Sequence, residues 1–145
     1  MNLKKFFGAS LLVFITIQIT NFLGHSLWLG SEYMSLTGVW RPDMADKMWI
    51  FTVVGLFTSP LFVYIFNKGY EGKGIIEGFR FGLVIGLFIA IPASFCEYAS
   101  YSIPLNLTIK WFFLYLVQYI LCGLVVAKVA TCQGKGCCCG NNNNK

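Results

Sequence analysis

Four apolar runs dominate this sequence, at about residues 6–29, 48–66, 75–99 and 107–130. Roughly 20 residues of α-helix cross the hydrocarbon core of a bilayer, so each run is long enough to span. Between them lie short segments rich in charge, glycine and proline. Hydrophobic residues make up 57% of the 145 residues and charged residues 12%. A soluble domain carries about twice that charged fraction, and a core of this size could not hide so much apolar surface from water. The sequence therefore predicts an all-α membrane protein: four transmembrane helices in an antiparallel bundle, forming one domain over residues 1–130. Residues 131–145, rich in Cys and Asn, read as a disordered cytoplasmic tail.

The first run follows Lys4 and Lys5. That pattern also suits a signal peptide, but the run is too long for an h-region and no A-x-A-like site follows it. It reads as a span. Residues 30–47 are a polar linker with Arg41, Pro42 and Asp43, and a short surface helix is expected near Pro42 to Met48. Pro60 and Pro92 fall inside the second and third runs, where each removes one backbone hydrogen bond and predicts a kink.

The third run carries the most distinctive pattern. Gly74, Gly78, Gly82, Gly86, Ala90 and Ser94 recur every fourth position, with Phe, Leu, Ile and Val between them. In lipid, helices gain little from hiding apolar side chains, and small-xxx-small ladders let backbones approach closely. A four-residue repeat precesses about 40° per step on a helix of 3.6 residues per turn. The ladder thus predicts packing for Gly78, Gly82, Gly86, Ala90 and Ser94, either wholly within the chain or shared with a partner.

Charge sets an expected orientation. With four spans both termini share a side, which holds Lys4, Lys5, Lys68, Lys73, Arg80, Lys128, Lys135 and Lys145. Arg41, Lys47 and Lys110 fall on the other side. The excess of basic residues marks the cytoplasm, so both termini are expected there. Trp28, Trp40, Trp49 and Trp111 all map to the outer ends or the outer linker, where tryptophan favours the interface. The net charge of +5 forms no patch suited to nucleic acid.

Polar residues within the runs are the candidate site. Gln18, Asn21, His25, Trp28 and Glu32 follow α-helical spacing on one face, which should turn from lipid into the bundle. The fourth run offers Trp111, Tyr115, Gln118 and Cys122, and the second offers Thr52, Gly55 and Ser59. By rise per residue, His25 and Glu97 lie shallow, and Gln18, Asn21 and Gln118 lie near the midplane. Two readings of Gln18, Asn21, His25, Glu97 and Gln118 remain open. They supply interhelical hydrogen bonds, or they line a polar site with His25 and Glu97 as its titratable groups. Glu77 and Arg80, three apart at the cytoplasmic start of the third span, read as helix capping and a surface pair, with a headgroup contact the lesser alternative.

No cofactor is expected. One histidine cannot provide bis-His haem ligation, and no catalytic constellation is visible. Cys132, Cys137, Cys138 and Cys139 are weak metal candidates by ligand type, but they lack the C-x2-C spacing of zinc and cluster sites. The glycine-rich stretch Gly69 to Gly74 lacks the G-x4-G-K-[ST] pattern of a phosphate loop. Asn106-Leu107-Thr108 matches a glycosylation acceptor but opens a span.

Several blocks together resemble a set of small bacterial inner-membrane proteins with four spans. These are Trp40-Arg41-Pro42 with Met48-Trp49, the stretch Lys68 to Leu83, Ile103-Pro104 and Trp111-Phe112. The chain is also distantly similar to the domain-of-unknown-function group numbered 1761. The resemblance covers about residues 6–130 and implies a bacterial inner membrane and four spans. It brings no assigned activity and no functional residues. Two function classes follow. The first is a non-enzymatic accessory or assembly subunit, bound to a larger membrane complex or to copies of itself. The second is a small transporter or channel with a path past Gln18, Asn21, His25 and Gln118.

Overall fold

The computed structural model describes residues 2–36 and 38–131. The tail expected to be disordered lies, from Cys132 onward, outside the described residues, as do the weak metal candidates Cys132, Cys137, Cys138 and Cys139. The described residues are helical and contain no strand. Helix α1 (Leu3–Asn21) continues into a π-helical segment, Phe22–Trp28, followed by the short α2 (Gly30–Ser35). A 3-10 turn at Ala45–Lys47 leads into α3 (Trp49–Gly69), then α4 (Ile75–Ser100) and α5 (Leu105–Thr131). Four helical stretches, Leu3–Trp28, Ala45–Gly69, Ile75–Ser100 and Leu105–Thr131, are long and apolar enough to cross a membrane.

The boundaries differ from the sequence expectation for local reasons. Asn67 to Gly69, expected in the loop, continue α3, because nothing in that turn stops the backbone before Tyr70. The helix ends where Tyr70 becomes extended, and Gly72 and Gly74, with φ of 86° and 75°, a region that costs glycine little, turn the chain toward α4. The expected surface helix from Pro42 to Met48 is only the 3-10 turn at Ala45–Lys47, while the helical turn of the linker is α2.

Helices α4 and α5 form the tightest pair. Gly78, Gly82, Gly86, Ala90 and Ser94 are all buried. A Cβ on Gly82 would lie 2.5 Å from the Tyr119 carbonyl oxygen and 2.8 Å from the Ile120 Cα. One on Gly86 would lie 3.1 Å from Leu116 Cδ1. At Gly78 the obstructing atoms are the Gly123 carbonyl oxygen and the Ala127 Cβ. The partners descend α5 as the ladder climbs α4, so this pair runs in opposite directions. Close backbone approach of this kind is what small residues permit where lipid supplies no hydrophobic drive.

Helix α1 packs on both α3 and α5. Ala9, Val13 and Ile17 of α1 join Phe62, Val63 and Phe66 of α3 and Tyr119, Cys122, Val126, Ala127 and Ala130 of α5 in the main core. The backbones of α3 and α4, consecutive in sequence, hardly approach. Aromatic rings fill the space between them: Phe81 stands edge-on to Phe62 at 5.0 Å and to Phe66 at 5.2 Å. Pro60 sits inside α3 and Pro92 inside α4. Beside Pro60, the buried Ser59 hydroxyl donates to the Gly55 carbonyl at 2.6 Å, so this polar side chain is satisfied within its own helix.

Candidate functional site

At one end of the bundle α2 folds back over the start of α5 and builds a second core. Leu29, Ile103, Leu107 and Trp111 are buried there, with Tyr33, Leu36, Val39, Trp40, Leu114 and Tyr115 packed around them. The preceding π-helical segment closes with the Leu29 N–H donating to the Gly24 carbonyl at 3.0 Å, an i→i+5 bond. Gly24 also lets the backbone press on α5, since a Cβ there would lie 2.6 Å from Leu114 Cδ2. Widened turns of this type often occur at functional positions.

The Tyr33 hydroxyl is the centre of this end. Trp111 Nε1–H donates to it at 2.6 Å, and its oxygen lies 2.5 Å from His25 Nδ1. Indole N–H only donates, and a phenol has one hydrogen. With a neutral imidazole, Tyr33 therefore donates to Nδ1, and the imidazole proton sits on Nε2. The Tyr33 ring stacks on His25 at 5.9 Å and meets Trp40 edge-on at 5.3 Å. Burial raises the Tyr33 phenol pKa above its ordinary range. The Trp111 bond opposes that shift, while Tyr115, Glu97 and Glu32 add to it. A half-buried ion pair, Lys110–Glu32, ties α2 to α5 alongside, and the Lys110 ammonium lies 6.0 Å from the Trp28 ring centroid.

The residues of the candidate polar cluster fall into separate environments. His25 joins Tyr33, and Glu97 acts at longer range on the Tyr33 phenol. Gln18 donates to the Thr52 hydroxyl at 3.2 Å, linking α1 to α3. Gln118, 4% exposed, is buried with its Oε1 unpartnered among the described residues. Asn21 is half-buried and makes no side-chain hydrogen bond among the described residues. The single stripe is broken because the π-helical segment changes the angular step after Asn21. Trp28 consequently turns outward, 53% exposed, and Glu32 reaches Lys110. Sequence reasoning missed Tyr33 and Lys110. The signal for the ion pair was Glu32 and Lys110, opposite charges on segments that meet at one end of the bundle.

Gln118 lines a groove of roughly 300 Å³ with Thr20, Leu23, Gly24, Trp28, Leu114, Val117 and Leu121. The groove runs between the α1 end and α5, and its walls are nearly all apolar. A second groove, of roughly 350 Å³, lies between α3 and α4 at the opposite end. Neither is lined by Gln18, Asn21 or His25. Glu77 and Arg80 are at the second groove, but the expected Glu77–Arg80 pair is not formed. The Glu77 carboxylate accepts instead from the backbone N–H groups of Glu71 at 2.5 Å and Lys73 at 2.9 Å. Backbone donors fixed by the Gly72 turn reach it first.

Among the described residues no group of three or more His, Cys, Asp or Glu is placed to hold a metal. Cys96 is exposed and Cys122 buried, both as free thiols. The fold defines a helical bundle with the make-up of an integral membrane protein. No protein-family model matches the chain, nor does any curated protein or solved structure.

Proposed function

We propose that this protein is a non-enzymatic accessory subunit, an antiparallel four-span bundle in the bacterial inner membrane that holds a neighbouring transmembrane helix. Both termini face the cytoplasm in this reading, supported by the eight basic residues on the terminal side against three on the other.

The observation that carries the proposal is the Gln118 amide. Its Oε1 is buried without a partner at the wall of an apolar groove between α1 and α5. In hydrocarbon an unmet polar group costs on the order of several kcal/mol, so a donor is strongly favoured there. With the amide turned into the groove, a neighbouring helix laid along it supplies a donor from a Ser, Thr or Asn side chain, and its apolar side chains enter the rest. The α4 ladder packs against α5 inside the chain and leaves the α1–α5 side for association.

The test is purification of the native protein in mild detergent. A larger membrane complex recovered in fixed stoichiometry supports the accessory role. A homo-oligomer assembled through the same groove makes the neighbour a second copy. A monomer that conducts or transports solute contradicts the proposal.

A further inference from the structure

We propose that the groove between α3 and α4 binds an anionic phospholipid, with Arg80 receiving the phosphate and an acyl chain lying along Phe81 and Val84. The groove is lined by Phe66, Ile76, Phe81 and Val84 on its apolar side and by Glu71, Lys73, Glu77 and Arg80 at its rim. It exists because the α3 and α4 backbones stay apart, with Phe81 reaching across to Phe62 and Phe66. Ile76 and Val84 are 71% and 64% exposed, so this wall faces outward from the bundle.

Two cations and two carboxylates line the rim, and Arg80 is the cation among them without an ion pair. Glu71 pairs with Lys73, and Glu77 is held by two backbone N–H groups. Arg80 forms no ion pair among the described residues. It acts on Glu71 only at longer range, after Lys73. Arg80 stands five residues inside α4, about 7.5 Å from the helix start at 1.5 Å per residue. At that depth a guanidinium requires water or an anion. Phosphate matches its planar fork of donors, and basic pockets between spans on the cytoplasmic side hold anionic headgroups. The adjoining apolar wall selects a lipid over a free ion.

The test uses the full chain in nanodiscs of phosphatidylcholine containing phosphatidylglycerol, with retained lipids counted by native mass spectrometry. Phosphatidylcholine offers the same phosphate but cancels its charge with choline, so wild type should favour phosphatidylglycerol about tenfold, and Arg80→Gln, which removes the cation that meets the uncancelled charge, should reduce that to about twofold. Val84→Trp, which fills the groove and leaves Arg80 in place, should cause a comparable loss and serves if Arg80→Gln fails to fold. Lys47→Gln, at the other end, should keep the wild-type preference. An unchanged preference in Arg80→Gln or Val84→Trp overturns the proposal, as does an equal loss in Lys47→Gln. Displacement of the lipid by millimolar inorganic phosphate also overturns it, in favour of a free-phosphate site.

Discussion

Gly78 of α4 and Gly123 of α5 each occupy the space that a Cβ on the other would need. No side chain separates the two backbones at this point, and the contact fixes the register of the pair. Moving one turn along α4 brings Gly82 against Tyr119 and Ile120 in the same relation.

Enlarging either glycine should therefore destabilise the bundle. Gly123→Val and Gly78→Leu meet backbone atoms that cannot turn aside, and overpacking typically costs about 1–3 kcal/mol, with more where backbone must move. Gly8→Ala has open space around it and should be neutral, or up to about 1 kcal/mol stabilising through helix propensity. Thermal unfolding in detergent distinguishes the three.

Removing the Tyr33 hydroxyl should loosen α2 from α5. Tyr33→Phe leaves the Trp111 N–H and His25 Nδ1 without the shared oxygen, a loss of about 1–3 kcal/mol for buried groups left unmet. Trp111→Phe should cost a similar amount, and the double variant should cost less than the sum. The double-mutant cycle then yields a coupling of about 0.5–3 kcal/mol, while strict additivity would show that the pair does not interact.

Alkaline pH should act through the same phenol. The folded pKa of Tyr33 is raised, chiefly by burial, so the folded state binds this proton more tightly than the unfolded chain does. Its contribution to stability is fully present below the unfolded phenol pKa of about 10 and declines as pH rises above that value. Unfolding midpoints measured from pH 8 to 11 should fall at the top of the range, and less steeply in Tyr33→Phe.

The sequence made the spans legible because bilayer thickness imposes a length on apolar runs, whatever their neighbours. It made the ladder on α4 legible because spacing at four is a property of one helix. The partner was harder to see: Gly123 is a lone glycine in α5, and only the fold reveals that it meets Gly78. The candidate site was legible in part. His25, Trp111 and Tyr115 stood out as polar or aromatic groups at helical spacing, but the π-helical segment and α2 depend on tertiary packing. Gly24 against Leu114, and Tyr33 beneath Trp111, set a geometry that α-helical periodicity cannot anticipate. Glu77 stands in the first turn of α4 as its position suggested, but its backbone partners, in place of Arg80, come from the conformation of the Gly72 turn.

Replacing Gln118 should separate association from folding. Gln118→Leu removes the unpartnered Oε1 and keeps similar volume, so the isolated subunit should be as stable as wild type or more so. Co-purification of a neighbouring subunit should fall by about 3- to 20-fold, the equivalent of an interhelical hydrogen bond of roughly 0.6–1.7 kcal/mol. Unchanged recovery of the neighbour would remove Gln118 from the interface.

Reporter fusions in cells test the membrane arrangement most directly. Alkaline phosphatase, active only outside the cytoplasm, is fused after Asp43 in the α2–α3 linker and, separately, after Glu71 between α3 and α4. Activity from the Asp43 fusion and none from the Glu71 fusion is the expected result. The reverse pattern, or the same result at both positions, would contradict a bundle that crosses between those residues with its termini in the cytoplasm.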